Sequence, residues 1–173
     1  MYIFHDWDDD DPSAELDIQG DHYKRLITLC FSYCHYFSLS ENQFGKIDLP
    51  KGILKALSEQ QPALHSKKHV FFCSQEAKLF FLQKVNSFFP WLTLEQRNRG
   101  SEKVIYPEDL CFYRKDGSVF LWSETHEGIC VICPKHKEDV SSIICFPGWH
   151  DLKDGEFFGV PANVEEYSLF RDE

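Results

Sequence analysis

Several clusters in this 173-residue chain bring together residue types able to do chemistry. Cys145 precedes His150 and Asp151, a thiol, an imidazole and a carboxylate of the kinds a cysteine hydrolase needs for nucleophile, base and orienting group. No nucleophile motif surrounds any cysteine, however, and proximity in sequence is not triad geometry. Cys130 and Cys133, with His136 behind them, have the separation of half a zinc site. Zinc needs a turn between its two thiolates, and here Val131 and Ile132 fill the gap. On an extended strand, residues three apart point to opposite faces, so these cysteines read as buried strand residues. Cys30 and Cys34 lie four apart and could ligate a metal or form a redox pair, but both fall on the apolar face of a helix, where a free thiol packs as a small hydrophobe.

The carboxylates are a second resource. Asp6 to Asp11 suggests a calcium loop, but an EF-hand opening at Asp6 requires Gly at Asp11 and Glu at Asp17. Glu165 and Glu166 are adjacent, so on a helix or strand they diverge and are solvated. His126-Glu127 follows the strand holding Trp122 and precedes Gly128, a hairpin end that could present polar groups or hold His126 to backbone. Neither a phosphate-cradling nor a dinucleotide glycine motif is present. No cofactor and no metal are expected.

Charge is distributed unevenly. The net charge is -10, and residues 1–21 hold eight carboxylates with no Lys or Arg. Residues 22–137 carry +5 and residues 138–173 carry -7. A thinly basic middle between acidic ends argues against nucleic acid, since phosphate neutralisation requires concentrated positive charge. Acidic ends attract basic partners and repel anionic membrane. They also hold large rings, Tyr2, Phe4 and Trp7 at the front and Trp149, Phe157, Phe158 and Tyr167 at the back, which supply contact area that a solvating tail lacks. The candidate partner-binding residues are therefore Trp7, Asp8, Asp9, Asp10, Asp11, Trp149, Glu165 and Glu166.

The elements that must position these residues divide by period. Residues 2–5 form a short strand. From Gly20, the residues Tyr23, Leu26, Ile27, Cys30, Cys34 and Phe37 recur at steps of three and four, a helical face, with Asp21 as N-cap. A short helix spans 51–59 between prolines. After a brief strand at 70–73, Ser74 caps a helix bearing Ala77, Phe80, Phe81, Lys84, Val85 and Phe88. Residues 92–102 are loop. Strands then follow at 104–106, 110–114, 119–123, 129–133 and 143–146, with Lys115-Asp116-Gly117 as a hairpin turn. The close of the chain gives one more strand or a short helix at 163–170. Helices first and hairpin-linked strands afterwards predict a single α+β domain over 1–173, an antiparallel sheet from the C-terminal half packed by helices from the N-terminal half. Hydrophobic content of 43% excludes a disordered chain. No run approaches the roughly 18 apolar residues of a membrane span. The opening MYIFHDWDDDDP has no basic or apolar region of a secretory signal, and seven cysteines without framework spacing fit a reducing cytoplasm.

The segment YPEDLCFYRKDGSVFLWSETHEGICVIC, Tyr106 to Cys133, resembles small bacterial immunity proteins of contact-dependent and polymorphic toxin systems, in which a strand ending in aromatics, an Asp-Gly hairpin and a His-Glu pair recur. The resemblance covers under a third of the chain and carries over no binding residue. It implies a cytoplasmic, non-enzymatic protein that binds and blocks a cognate toxin domain, commonly a nuclease with a basic active site. The alternatives are a small hydrolase built on Cys145, His150 and Asp151, and an accessory protein-binding module.

Overall fold

The computed structural model describes residues 1–5, 17–40, 49, 51–58, 69–89, 108–152 and 168–169. Seven strands form one sheet in the order β3-β2-β4-β5-β6-β1-β7. They are β1 (Tyr2–Phe4), β2 (Tyr36–Leu39), β3 (His69–Phe72), β4 (Cys111–Tyr113), β5 (Val119–Glu124), β6 (Ile129–Ile132) and β7 (Trp149–Asp151). Every pairing is antiparallel. Four α-helices lie among the described residues: α1 (Gly20–Tyr33), α2 (Lys51–Ser58), α3 (Gln75–Lys84) and α4 (Ser141–Ile144). The class is α+β, as expected from the sequence. The sheet is not confined to the C-terminal half, because β1, β2 and β3 supply three of its strands.

One sheet face carries the main core. Helix α1 contributes Tyr23, Leu26, Ile27 and Cys30, each fully buried at its predicted spacing. Helix α3 contributes Ala77, Phe80 and Phe81, and its N-cap is Ser74, whose Oγ accepts from the Ala77 amide at 3.1 Å. Phe37 sits among rings from three elements, 5.3 Å from Phe71, 5.5 Å from Phe81 and 5.9 Å from Phe112. Burying a ring of this size contributes roughly 2–3 kcal/mol through removed apolar area alone. The helical period from Gly20 therefore ends earlier than its spacing indicates. Phe37 belongs to β2, and the chain leaves α1 at Tyr33 with Cys34 already extended. Asp21 is not the N-cap: Gln19 occupies that position without a side-chain cap, and Asp21 pairs with Arg25 at 2.8 Å.

The opposite face is also buried. Ile3, Cys111, Tyr113, Val119, Ile129, Val131 and Cys133 form a second cluster, against which Trp122, Leu152 and Leu169 pack. Leu169 is held there by its amide, which donates to Gly117 O at 2.9 Å. Burial on both faces explains why β6 reads as an unbroken apolar run instead of an alternating one. In β5 the register jumps between Phe112 and Tyr113, from partner Leu121 to partner Val119. The extra residue, Phe120, turns onto the helix-covered face together with Leu121. The predicted turn at residues 115–117 is present, with Gly117 at φ +80° and its amide bonded to Arg114 O at 2.9 Å.

Two local expectations are corrected. Residues 143–146 are not a strand: Ser141–Ile144 is helical, and Ser141 N–H donates to Asp139 Oδ1 at 2.9 Å at its start. Residues 149–151, to which the sequence assigned no element, are β7. Gly148 makes that strand accessible, at φ +90°, where a Cβ would stand 2.5 Å from the Phe4 ring. Gly148→Ala therefore combines a left-handed backbone with a clash inside the core. Its expected cost is about 2–4 kcal/mol, to be read as a lowered urea midpoint; a change below about 0.5 kcal/mol would show that the β1–β7 junction is loose. The strand expected at 104–106, the loop at 92–102 and most of 163–170 lie outside the described residues.

Candidate functional site

Of the eight candidate partner-binding residues, Trp149 is described; Trp7, Asp8, Asp9, Asp10, Asp11, Glu165 and Glu166 lie outside the described residues. Trp149 opens β7 and is half-buried. Its ring meets Phe4 edge-on with centroids 5.5 Å apart, and its indole Nε1–H donates to His22 Nε2 at 2.8 Å. His22 lies flat on Phe146, 4.3 Å between centroids and 2° between planes, and the Arg25 guanidinium sits 5.7 Å above the Phe146 ring. Burial pushes the His22 imidazole down from 6.5 to about 4. A neutral imidazole is also what the indole bond requires, since Nε2 must accept. Trp149 thus has one side committed to the core and the other open.

On the reverse face of the same strands, His5 and His150 stack at 4.7 Å. Both lie there because side chains alternate along each strand, Ile3 pairing with His150 and Phe4 with Trp149. The ladder joins the two acidic regions of the sequence at their nearest described residues. Tyr2 pairs with Asp151, and Leu152 N–H donates to Met1 O at 3.0 Å. His5 and Leu152, which lead into the two acidic stretches, stand at opposite ends of this ladder.

No family model, curated protein or solved structure matches this chain.

The other candidate chemistries separate in space. Cys145 is exposed at the C-terminus of α4, while His150 and Asp151, adjacent on β7, point to opposite faces of the sheet. Among the described residues no hydrogen bond joins the three. Cys130 belongs to the helix-side core and Cys133 to the second-face cluster, so the two thiols diverge as strand geometry demands. Cys30 is fully buried, and burial pushes its thiol well above the ordinary range; Cys34, half-buried at the end of α1, is pushed up for the same reason. His126 and Glu127 lie in the 3-10 turn Thr125–Glu127, closed by Gly128 at φ +65°.

Two polar arrangements escaped the sequence reading. Asp17, one of the eight leading carboxylates, is structural: it accepts from the Ser87 hydroxyl and from the Phe89 amide at 2.8 Å, fixing the chain before α1 to the segment after α3. Its burial raises the carboxyl pKa. Arg114 is buried beneath the hairpin turn, bidentate to Glu138, with Nε–Oε1 at 2.7 Å and Nη2–Oε2 at 2.5 Å. Burial alone would raise Glu138, but the Arg114 and Lys135 hydrogen bonds and the guanidinium charge hold it below its ordinary value. Arg and Glu stand 24 residues apart with no shared period, so only the hint of an Arg placed directly before a hairpin could have flagged the pair. Around it, Lys135 Nζ bonds Asp116 at 2.7 Å and Ser118 at 2.8 Å. The loop carrying Lys135 and Glu138 borders an open depression of about 510 Å³ whose lining includes Tyr2.

Proposed function

We propose that this chain is an immunity-type protein that binds and neutralises a basic, nuclease-type toxin domain, using the β7 edge of the sheet and the acidic stretches of the sequence. The observation that carries this reading is the β1–β7 ladder: it pairs described residues from both acidic regions of the sequence at the β7 end of the sheet, where the half-open Trp149 ring stands. A nuclease must present positive charge to phosphate, and an opposing acidic surface accelerates encounter while excluding wrong partners. Trp149 supplies the kind of aromatic anchor from which affinity is drawn inside a charged rim. Four deeply placed acid–base groups, Asp17, His22, Arg114 and Glu138, are engaged in holding the fold, which fits a binding protein better than a catalyst. In this reading the protein works in the cytoplasm, where its seven cysteines stay reduced.

The test is the association rate with the basic partner captured from the native strain. Charge reversal of Asp8, Asp9, Asp10 and Asp11 to Lys is expected to slow association about tenfold or more at low salt and to flatten its salt dependence. An unchanged rate and salt slope would remove the electrostatic recognition on which the reading depends.

A further inference from the structure

We infer that β7 is an acceptor for strand addition, and that the segment it takes is an extended, lysine- or arginine-bearing strand of the partner. This rests on the reading above and names how the partner is held. The bond from Leu152 N–H to Met1 O marks Met1 and Leu152 as a hydrogen-bonded pair. Pairs of that kind alternate along an antiparallel ladder, so Ile3 and His150 form the next one. The main-chain N–H and C=O groups of Trp149 and Asp151 therefore point away from β1, and among the described residues no strand lies beyond β7. They form a short row of donors and acceptors at a sheet edge, the template that strand addition uses.

The other edge of the sheet is less open. At β3, Phe72 O already accepts from Ser74 N–H at 2.8 Å, and α3 begins at Gln75.

Charge selects the occupant. Asp151 is exposed on the edge itself, and residues 138–173 carry -7. A second copy of this chain pairing through β7 would bring Trp149, His150 and Asp151 to the new ladder, and no Lys or Arg to meet the exposed Asp151. An extended segment with basic residues meets opposite charge at the same positions. The half-open face of Trp149 then lies beside alternate side chains of the incoming strand, and His150 beside the others, because the period of two continues across the edge.

The probe is a short synthetic peptide of alternating lysine and valine, with an alternating glutamate–valine peptide as its counterpart. Titrating the lysine peptide into the full chain is expected to slow hydrogen exchange of the Trp149 and Asp151 amides at least tenfold and to leave the His150 amide, already bonded to β1, unchanged. The glutamate peptide should give no protection. Asp151→Pro removes one outward N–H that no internal ladder bond uses, and is expected to weaken peptide binding about tenfold, whereas Asp151→Asn retains the N–H and should lose less. Binding without protection of those two amides, absence of binding, or equal protection by both peptides would each overturn the proposal. The reading of function fails separately. If the Asp8–Asp11 reversal slows partner association while Asp151→Pro leaves partner affinity unchanged, acidic recognition stands and strand addition falls. If Asp151→Pro weakens partner binding and the charge reversal does nothing, the edge stands and the electrostatic reading falls.

Discussion

Replacing Arg114 with leucine is expected to lower the unfolding free energy by about 3–5 kcal/mol, the range for breaking a buried ion pair by deleting one partner. In a chain of this length that corresponds to a melting temperature lower by about 10 °C. The size of the effect follows from how completely the guanidinium is used. Nε and Nη2 hold both carboxylate oxygens of Glu138; Nη2 also donates to Cys133 O at 2.6 Å, and Nη1 to Val119 O and to Ser118 Oγ at 3.4 Å. The same group lies 5.3 Å from the centre of the Phe120 ring. Removing it strands a carboxylate whose side chain is 11% exposed, along with two strand-end carbonyls. Arg114→Lys keeps the charge but not the planar fork, so it should recover only part of the loss. The double variant Arg114→Leu/Glu138→Leu should be less destabilised than Arg114→Leu alone, since no unpaired charge remains buried. A single-variant loss under about 1 kcal/mol would mean that the pair is solvated.

Acid should weaken the fold through His22 by up to about 3 kcal/mol, with the loss spread between pH 6.5 and 4. The sign follows from proton linkage. His22 takes up its proton near 6.5 when unfolded but only at about 4 when folded. Between those values the unfolded chain binds more protons, so stability falls as pH falls and levels off below 4. The magnitude is the distance between the two values at about 1.4 kcal/mol per pH unit, an upper limit for a residue 7% exposed. Protonation also turns Nε2 from acceptor into donor, facing the Trp149 N–H. Asp17 acts in the opposite direction: its raised carboxyl pKa favours the folded state at low pH and loses that contribution as pH rises through the folded value. Comparison with His22→Phe isolates the histidine. That variant keeps a flat ring on Phe146 and should show a flatter stability profile from pH 7 to 4, at a neutral-pH cost of about 1 kcal/mol for the lost indole bond. Parallel profiles for the two proteins would exclude His22 as the acid-sensitive group.

What could be read directly from the sequence was local. The α1 period, the Ser74 cap and the Lys115-Asp116-Gly117 turn are decided by residues a few positions apart, and each is present where expected. The errors fall where a distant partner decides. Phe37 continues the helical spacing of α1, yet it is drawn into β2 because β3 and β4 flank it on both sides. Ile143 and Ile144 favour strands by their β-branching, but the turn at Asp139 starts a helix there. Trp149-His-Asp has no strand signature of its own; its ladder partner lies nearly the whole chain away at residues 2–4. The same reason hid the site. The charge blocks suggested a basic partner, whereas nothing in them showed that residues 2–4 and 149–151 pair in one sheet. Counting carboxylates also overstated the surface by at least one, since Asp17 is turned inward.

The position of β1 in the sheet order bears on how the chain comes to be folded during translation. This strand is made well before its neighbours, since it lies between β6 and β7, whose residues begin 125 positions later. At ordinary elongation rates it waits on the order of ten seconds for a partner, and contacts of such long sequence separation close slowly. Until then the apolar Tyr2-Ile3-Phe4 has no ladder, and β7 has nothing to attach to. The last strand of the sheet is therefore assembled only after the first has found its place, so the edge proposed to take a partner exists only once the whole sheet has closed.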